Sequence, residues 1–133
     1  MAGQSPSDTV KTLMEALSRG DVESALALYE SEATLRAEPG KPAHGKMAIR
    51  AALQGFIALR PTVTGETQHV IESGDVALFS STWNLNGTAP DGRPVQMGGT
   101  SSDVLRRQPN GTWLIVIDNP WGTAVRFLPS ARH

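Results

Sequence analysis

Asp118 carries the clearest chemical signal in the chain because it directly follows five apolar residues, Trp113 to Ile117. A carboxylate at the mouth of an apolar cavity loses hydration, which raises its pKa and suits it to moving a proton. The alternative is a strand-ending turn in which Asp118 bonds its own backbone. We predict that Asp118 projects into or rims a cavity and that burial raises its pKa.

Two neighbouring polar residues could assist Asp118. Asn119 could orient a ligand or donate a hydrogen bond. His44 precedes a predicted helix and could reach the cavity rim, where an imidazole suits acid/base work. The three histidines are widely separated and share no helix face, so we expect no metal site.

Large apolar side chains could line the cavity, although each also fits a plain core position. The candidates for ligand binding are Trp83, Met97, Trp121 and Phe56. Polar residues on the long central strands must face solvent, a subunit interface or a cavity, because their burial without partners is costly. They are Ser80, Thr82, Asn84, Thr100, Ser102 and Asp103.

A nucleotide-binding motif is matched only in outline. Gly40 to Lys46 reads G-x-x-x-x-G-K, but Met47 replaces the hydroxyl residue that Mg²⁺ needs and Pro42 lacks a backbone N–H. We therefore expect no nucleotide, and the sequence contains no other cofactor motif.

Apolar spacing predicts three helices in the first half of the chain. The first starts at the Ser5-Pro6 cap and ends at Arg19-Gly20. The second follows Asp21 and carries the stripe Val22, Ala25, Leu26 and Tyr29. The third begins after Gly45 and ends before Pro61. We interpret Tyr29 as a core residue whose hydroxyl is satisfied at the edge.

The remaining elements are predicted strands. A short strand at residues 33–37 and an irregular loop at 38–44 separate helices two and three. Three turn signals then divide four β-rich segments, which we expect to pair as antiparallel hairpins: 63–72, 75–88, 93–108 and 112–119. Gly98-Gly99 is the expected site of a bend. Three helices can cover only one sheet face, so we predict a homodimer through the other.

Composition limits the class of protein. With 133 residues, 39% of them hydrophobic and 19% charged, we predict one globular domain, 1–133. Twelve basic and 13 acidic residues provide no positive field for nucleic acid. No apolar run approaches a membrane span and no secretory signal is visible, so we expect a cytoplasmic protein without membrane partners.

The order of these elements resembles that of the NTF2-like cone fold, and short segments of the sequence resemble it as well. Residues 20–29 resemble the segment between its first two helices, and Ala33 to Arg50 resembles its strand, loop and third helix. Residues 111–122 resemble the closing strand of ketosteroid-isomerase-like and SnoaL-like members. The resemblance implies an α+β cone with three N-terminal helices packed on a strongly curved, mainly antiparallel sheet.

The resemblance also implies candidate catalysts. SnoaL-like cyclases place an acid/base aspartate towards the end of the chain, which favours Asp118 as the catalyst. The isomerases place a base after the short strand, where Glu38-Pro39 resembles their Asp-Pro; the alternative for Glu38 is a solvated loop carboxylate. We therefore predict a pocket for a small apolar organic molecule, with cofactor-independent proton transfer next to a carbonyl as in an isomerase or cyclase. The alternative is a non-catalytic ligand-binding or dimerisation module.

Overall fold

The computed structural model describes residues 2–38 and 40–122 of the chain. The predicted packing of the tail after Gly122 across the cavity mouth or a neighbouring subunit lies outside these residues. The helices are α1 (Pro6–Arg19), α2 (Val22–Leu26) and α3 (Gly45–Ile57). The strands are β1 (Tyr29–Glu38), β2 (Lys41–His44), β3 (Thr62–Ser73), β4 (Val76–Thr88), β5 (Pro94–Thr100), β6 (Asp103–Arg107) and β7 (Trp113–Asp118).

The strands form one sheet in the order β2-β1-β7-β6-β4-β3, with β5 paired to β4 off this path. All pairs are antiparallel except β1 with β7. The helices pack on the concave face of this curved sheet. The predicted α+β cone architecture is therefore confirmed.

Helix α1 forms where its local signals predict. The Ser5 side chain accepts a hydrogen bond from the Asp8 amide at 3.1 Å, and Gly20 closes the helix with a left-handed φ of 75°. Val10, Leu13 and Ala16 are buried against the sheet. Burying a side chain of the size of Leu13 contributes about 1.5–3 kcal/mol, so the apolar stripe fixes this helix over the concave face.

The second helix is shorter than predicted, and this changes the place of Tyr29. Helix α2 ends at Leu26, and the chain turns so that the Leu28 carbonyl accepts the Ile115 amide at 2.8 Å. Tyr29 is therefore the first residue of β1 rather than part of a helical stripe. Strand pairing with β7 overrides the local helical spacing.

Two other strand predictions differ from the structure. The expected loop at 38–44 contains β2, which pairs with the second half of β1. The expected long strand 93–108 is divided at Ser101-Ser102 into β5 and β6, and both pair with β4. The β4–β5 register runs unbroken through Gly98-Gly99, so no β-bulge lies there. The interruption lies at Ser101-Ser102, and the register with β4 is the same on both sides of it.

The outer sheet face carries an apolar row. Ile71, Leu78, Val104 and Ile117 are register partners across β3, β4, β6 and β7. Ile71 is 61% exposed, Leu78 47% and Ile117 44%. Within the described residues, the helices leave this face uncovered.

No helix in the described part of the chain combines the length and apolarity that crossing a membrane requires.

Candidate functional site

A cavity lies between α1, α3 and the concave face of the sheet. The space within it, including open solvent at its mouth, is about 620 Å³. Apolar side chains form most of its walls, with Val10, Leu13, Met14 and Leu17 from α1 and Leu53 and Phe56 from α3. The polar lining residues come from the sheet: Tyr29, Ser81, Ser101, Asp103 and Asp118. We call these five residues the polar floor.

A β-bulge in β7 turns Asp118 into the cavity. Ile115 lies opposite Leu105 and Ile117 lies opposite Val104, so Val116 is an extra residue on β7. Regular alternation from Trp113 and Ile115 would place Ile117 inside and Asp118 outside. With the bulge, Ile117 is 44% exposed on the outer face and Asp118 is only 9% exposed. The predicted location of Asp118 in the cavity is confirmed.

Tyr29 provides the hydrogen-bond partner of Asp118. Its hydroxyl donates to Asp118 Oδ2 at 2.5 Å, and its side chain is 1% exposed. Burial and the adjacent Asp118 carboxylate raise the pKa of Tyr29, which keeps the phenol protonated as a donor. The only tyrosine in the chain therefore belongs to the polar floor.

Asp103 places a second carboxyl beside Asp118. It is the first residue of β6, is 4% exposed, and its Oδ1 accepts the Asn119 backbone amide at 2.7 Å. The two acids line the same cavity from the paired strands β6 and β7, and the charge of Asp118 raises the pKa of Asp103. The two acids form one coupled pair.

The environment divides this pair into a stronger and a weaker acid. Burial raises the pKa of Asp103 well above its ordinary value, and the charge of Asp118 raises it further. Burial also raises the pKa of Asp118, but the hydrogen bond from Tyr29 opposes that rise by stabilising the carboxylate. Asp103 therefore holds its proton more strongly, and Asp118 is the first of the pair to ionise. The predicted direction of the Asp118 pKa shift and its cause, desolvation, agree with this arrangement.

Two serines complete the floor. The Ser81 amide donates to Ser101 Oγ at 3.0 Å, and the two hydroxyl oxygens lie 3.1 Å apart. Ser81 lies between Phe79 and Trp83 on the inward side of β4, so strand alternation could have identified it. Of the polar strand residues singled out from the sequence, Asp103 alone belongs to the floor.

Two of the predicted ligand-binding residues line the cavity. Phe56 reaches it from α3, and Trp83 reaches it from β4. The Trp83 indole N–H donates to the Pro120 carbonyl at 2.7 Å, which fixes the ring in the wall. Their contact with a ligand stays a prediction.

The other predicted ligand-binding residues are outside the lining. Asn119 points its side chain toward Arg36 and Gly122, although its backbone amide supports Asp103. Trp121 packs edge-on against Trp83 with ring centroids 5.4 Å apart. Met97 lies on β5 opposite Leu85 and is half-buried. Asn119 and Trp121 therefore stand behind lining residues, and Met97 lies on a strand that does not reach the cavity.

Glu38 and His44, the other predicted catalytic residues, are also outside the cavity lining. Glu38 ends β1 on the surface, with Lys41 Nζ 4.0 Å from its carboxylate. His44 lies in β2, where its Nδ1 is 2.9 Å from Thr34 Oγ1 and its Nε2 is 3.4 Å from Glu32. Both are solvated because the 38–44 segment pairs with the edge of β1 instead of folding over the cavity mouth.

Comparison with known proteins agrees with the fold. The family model of the SnoaL-like domain matches residues 10–114. Since this match spans most of the chain, the protein belongs to the SnoaL-like domain family, within the NTF2-like superfamily. No curated protein matches the chain significantly.

Solved structures with the same fold have low sequence identity. An NTF2-like superfamily protein from Salmonella enterica serovar Typhimurium aligns with a TM-score of 0.77 and 17% identity, covering 93% of this chain and 92% of that one. A ketosteroid isomerase-like protein from Erwinia carotovora atroseptica aligns with a TM-score of 0.72 and 20% identity, covering 83% of this chain and 87% of that one. An NTF2-like protein with a cystatin-like fold from Novosphingobium aromaticivorans aligns with a TM-score of 0.73 and 18% identity, covering 92% of this chain and 82% of that one. These likenesses establish the fold.

Proposed function

We propose that this protein binds a small, mostly apolar organic molecule in the cavity and that Asp118 transfers a proton next to a carbonyl group of that molecule. The observation that carries the proposal is the 2.5 Å hydrogen bond from Tyr29 to Asp118 on the floor of an otherwise apolar cavity. A desolvated carboxylate is a stronger base than one in water. The apolar walls would hold the carbon skeleton of the ligand and exclude water.

The floor suggests how the charge of the reaction is balanced. Asp118 in its carboxylate form takes a proton from the carbon next to the carbonyl, and negative charge moves to the carbonyl oxygen as an enolate forms. Once protonated, Asp118 accepts less strongly from Tyr29, and this donor becomes free to stabilise the enolate oxygen. Asp118 then returns the proton to carbon, at the original or at a conjugated position. The protein residues suffice for this cycle.

Proton transfer is tested by incubating the protein with simple cyclic ketones such as cyclohexanone in D₂O and following deuterium incorporation next to the carbonyl by NMR. We expect exchange above the buffer rate, and a loss of about 10²- to 10⁴-fold in Asp118→Asn. Asp75→Asn is the matched control, because it makes the same substitution at an exposed carboxyl paired with Arg107. Exchange that survives Asp118→Asn would contradict the assigned role.

The second candidate function is a non-catalytic ligand-binding module. It is favoured by the hydrogen bonds from Tyr29 to Asp118 and from the Asn119 amide to Asp103, which hold the two carboxyls in place without a reaction. Ketone binding, detected by NMR shifts of the Trp83 indole, without any deuterium exchange would support this function over catalysis.

We further propose that the protein is a homodimer through the outer sheet face. The exposed apolar row of Ile71, Leu78 and Ile117 supports this, because a soluble surface seldom leaves such aligned side chains in water.

A further inference from the structure

The cavity is acidic and has no basic counterpart in its described lining. Among residues 2–38 and 40–122, its lining contains the Asp103 and Asp118 carboxyls and no Lys, Arg or His. Several acidic residues outside the cavity, in contrast, have basic partners. Glu23, Glu30 and Asp75 each form an ion pair with an arginine. When Asp118 is ionised, the cavity floor therefore carries a negative charge that no described side chain neutralises.

The floor also has more hydrogen-bond acceptors than donors. The Asp118 carboxylate alone offers about four acceptor positions. Among the described residues, the Tyr29 hydroxyl donates to Asp118 Oδ2 and the Asn119 amide donates to Asp103 Oδ1. Acceptor positions are left over on the buried floor of a mostly apolar cavity, where an unmet acceptor is costly.

We propose that the cavity selects its ligand by charge: an apolar molecule carrying a protonated amine binds there more tightly than its uncharged analogue, and one carrying a carboxylate is excluded. This inference rests on the proposed ligand-binding function of the cavity and adds a ligand class to it. An ammonium brings three donors and the opposite charge to the Asp103–Asp118 pair. A carboxylate brings neither and is repelled by the ionised floor, and the apolar walls leave little water to screen that repulsion.

Three probes with the same phenyl body separate these contributions: 2-phenylethylamine, 2-phenylethanol and phenylacetate. Their binding to the full chain at neutral pH is measured by NMR titration, with the Trp83 indole and the methyl groups of Leu53 as reporters in the cavity wall. We expect the amine to bind at least tenfold more tightly than the alcohol, and phenylacetate to bind undetectably.

The double variant Asp103→Asn/Asp118→Asn removes the charge while keeping side chains of nearly equal size. In it, the amine should lose its tenfold advantage, while the alcohol still binds. Asp75→Asn is the control for a lost surface carboxylate and should retain the full preference. Circular dichroism and thermal melting verify that each variant is folded.

The outcomes separate this inference from the proposed function. If the alcohol binds in the cavity and the amine binds no more tightly, charge selection is wrong and cavity binding stands. If phenylacetate binds as well as the amine, charge selection is likewise wrong. If none of the probes shifts the cavity reporters, both the charge selection and the proposed ligand-binding function are contradicted.

Discussion

Tyr29→Phe removes one hydroxyl from the polar floor and leaves the aromatic ring in its buried place. The hydroxyl donates to Asp118 Oδ2 at 2.5 Å, where Tyr29 is 1% and Asp118 is 9% exposed. A hydrogen bond to a charged group contributes about 1.5–3 kcal/mol, and one between neutral groups about 0.5–1.5 kcal/mol. Where Asp118 is ionised, we expect the variant to lose about 2 kcal/mol of unfolding free energy.

The loss should depend on pH in a defined direction. The Tyr29 bond lowers the pKa of Asp118, so its removal raises that pKa in the folded state. A folded state with a higher pKa binds protons more readily and gains relative stability as the pH falls. In acid, where Asp118 is protonated, the loss should shrink by about 1 kcal/mol, the difference between charged and neutral hydrogen bonds.

Urea unfolding of wild type and Tyr29→Phe in neutral and acidic buffer measures both quantities. Thr9→Val is the control, because the Thr9 hydroxyl is also buried but donates to a neutral acceptor, the Trp113 carbonyl, at 2.8 Å. Its effect should be the same in both buffers. A Tyr29→Phe effect that is absent, or equal at both pH values, would refute the reasoning.

Three further variants test other parts of the structure. Burial raises the pKa of Asp103, so wild-type stability should fall as the pH rises through that pKa. The stability of Asp103→Asn should therefore rise relative to that of wild type from acidic to neutral pH. A stability difference in urea unfolding that is the same at both pH values would contradict this. Leu78→Lys on the outer face should convert the proposed dimer to a monomer in light scattering, and a persisting dimer would exclude this face as the interface. Leu53→Ala should lower the unfolding free energy by about 2–5 kcal/mol, because Leu53 is 2% exposed in the cavity wall. A loss under about 1 kcal/mol in urea unfolding would contradict this, because it would show that neighbouring side chains fill the space left by Leu53.

Features encoded within a few residues were predictable from the sequence. Helix α1 follows from the Ser5-Pro6 cap, an apolar stripe and Gly20, all of which act locally. The turns at residues 73–75, 90–92 and 110–111 separate antiparallel partners, because Gly at each supplies the left-handed φ that a tight turn needs.

Features set by pairing between distant strands were not predictable. The bulge at Val116 exists only in the register of β7 with β6, and without it Asp118 would face outward. The position of Tyr29 depends on β1 pairing with β7, against a helical spacing in its own segment. Asp103 was recognisable as a polar residue needing a partner, but its partner Asp118 is brought to it across the β6–β7 pair.

Asp103 and Asp118 are buried together on the cavity floor, where ionisation of Asp118 raises the pKa of Asp103. A ¹³C NMR titration of the aspartate side-chain carboxyls tests it most directly, with exposed Asp21, whose pKa is lowered by hydrogen bonds from Ser24, as an internal reference. We predict that Asp103 and Asp118 titrate above the ordinary aspartate value of 3.8, that Asp103 loses its proton last, and that each signal reports the titration of the other. Independent titration of both carboxyls at the ordinary value would contradict the account.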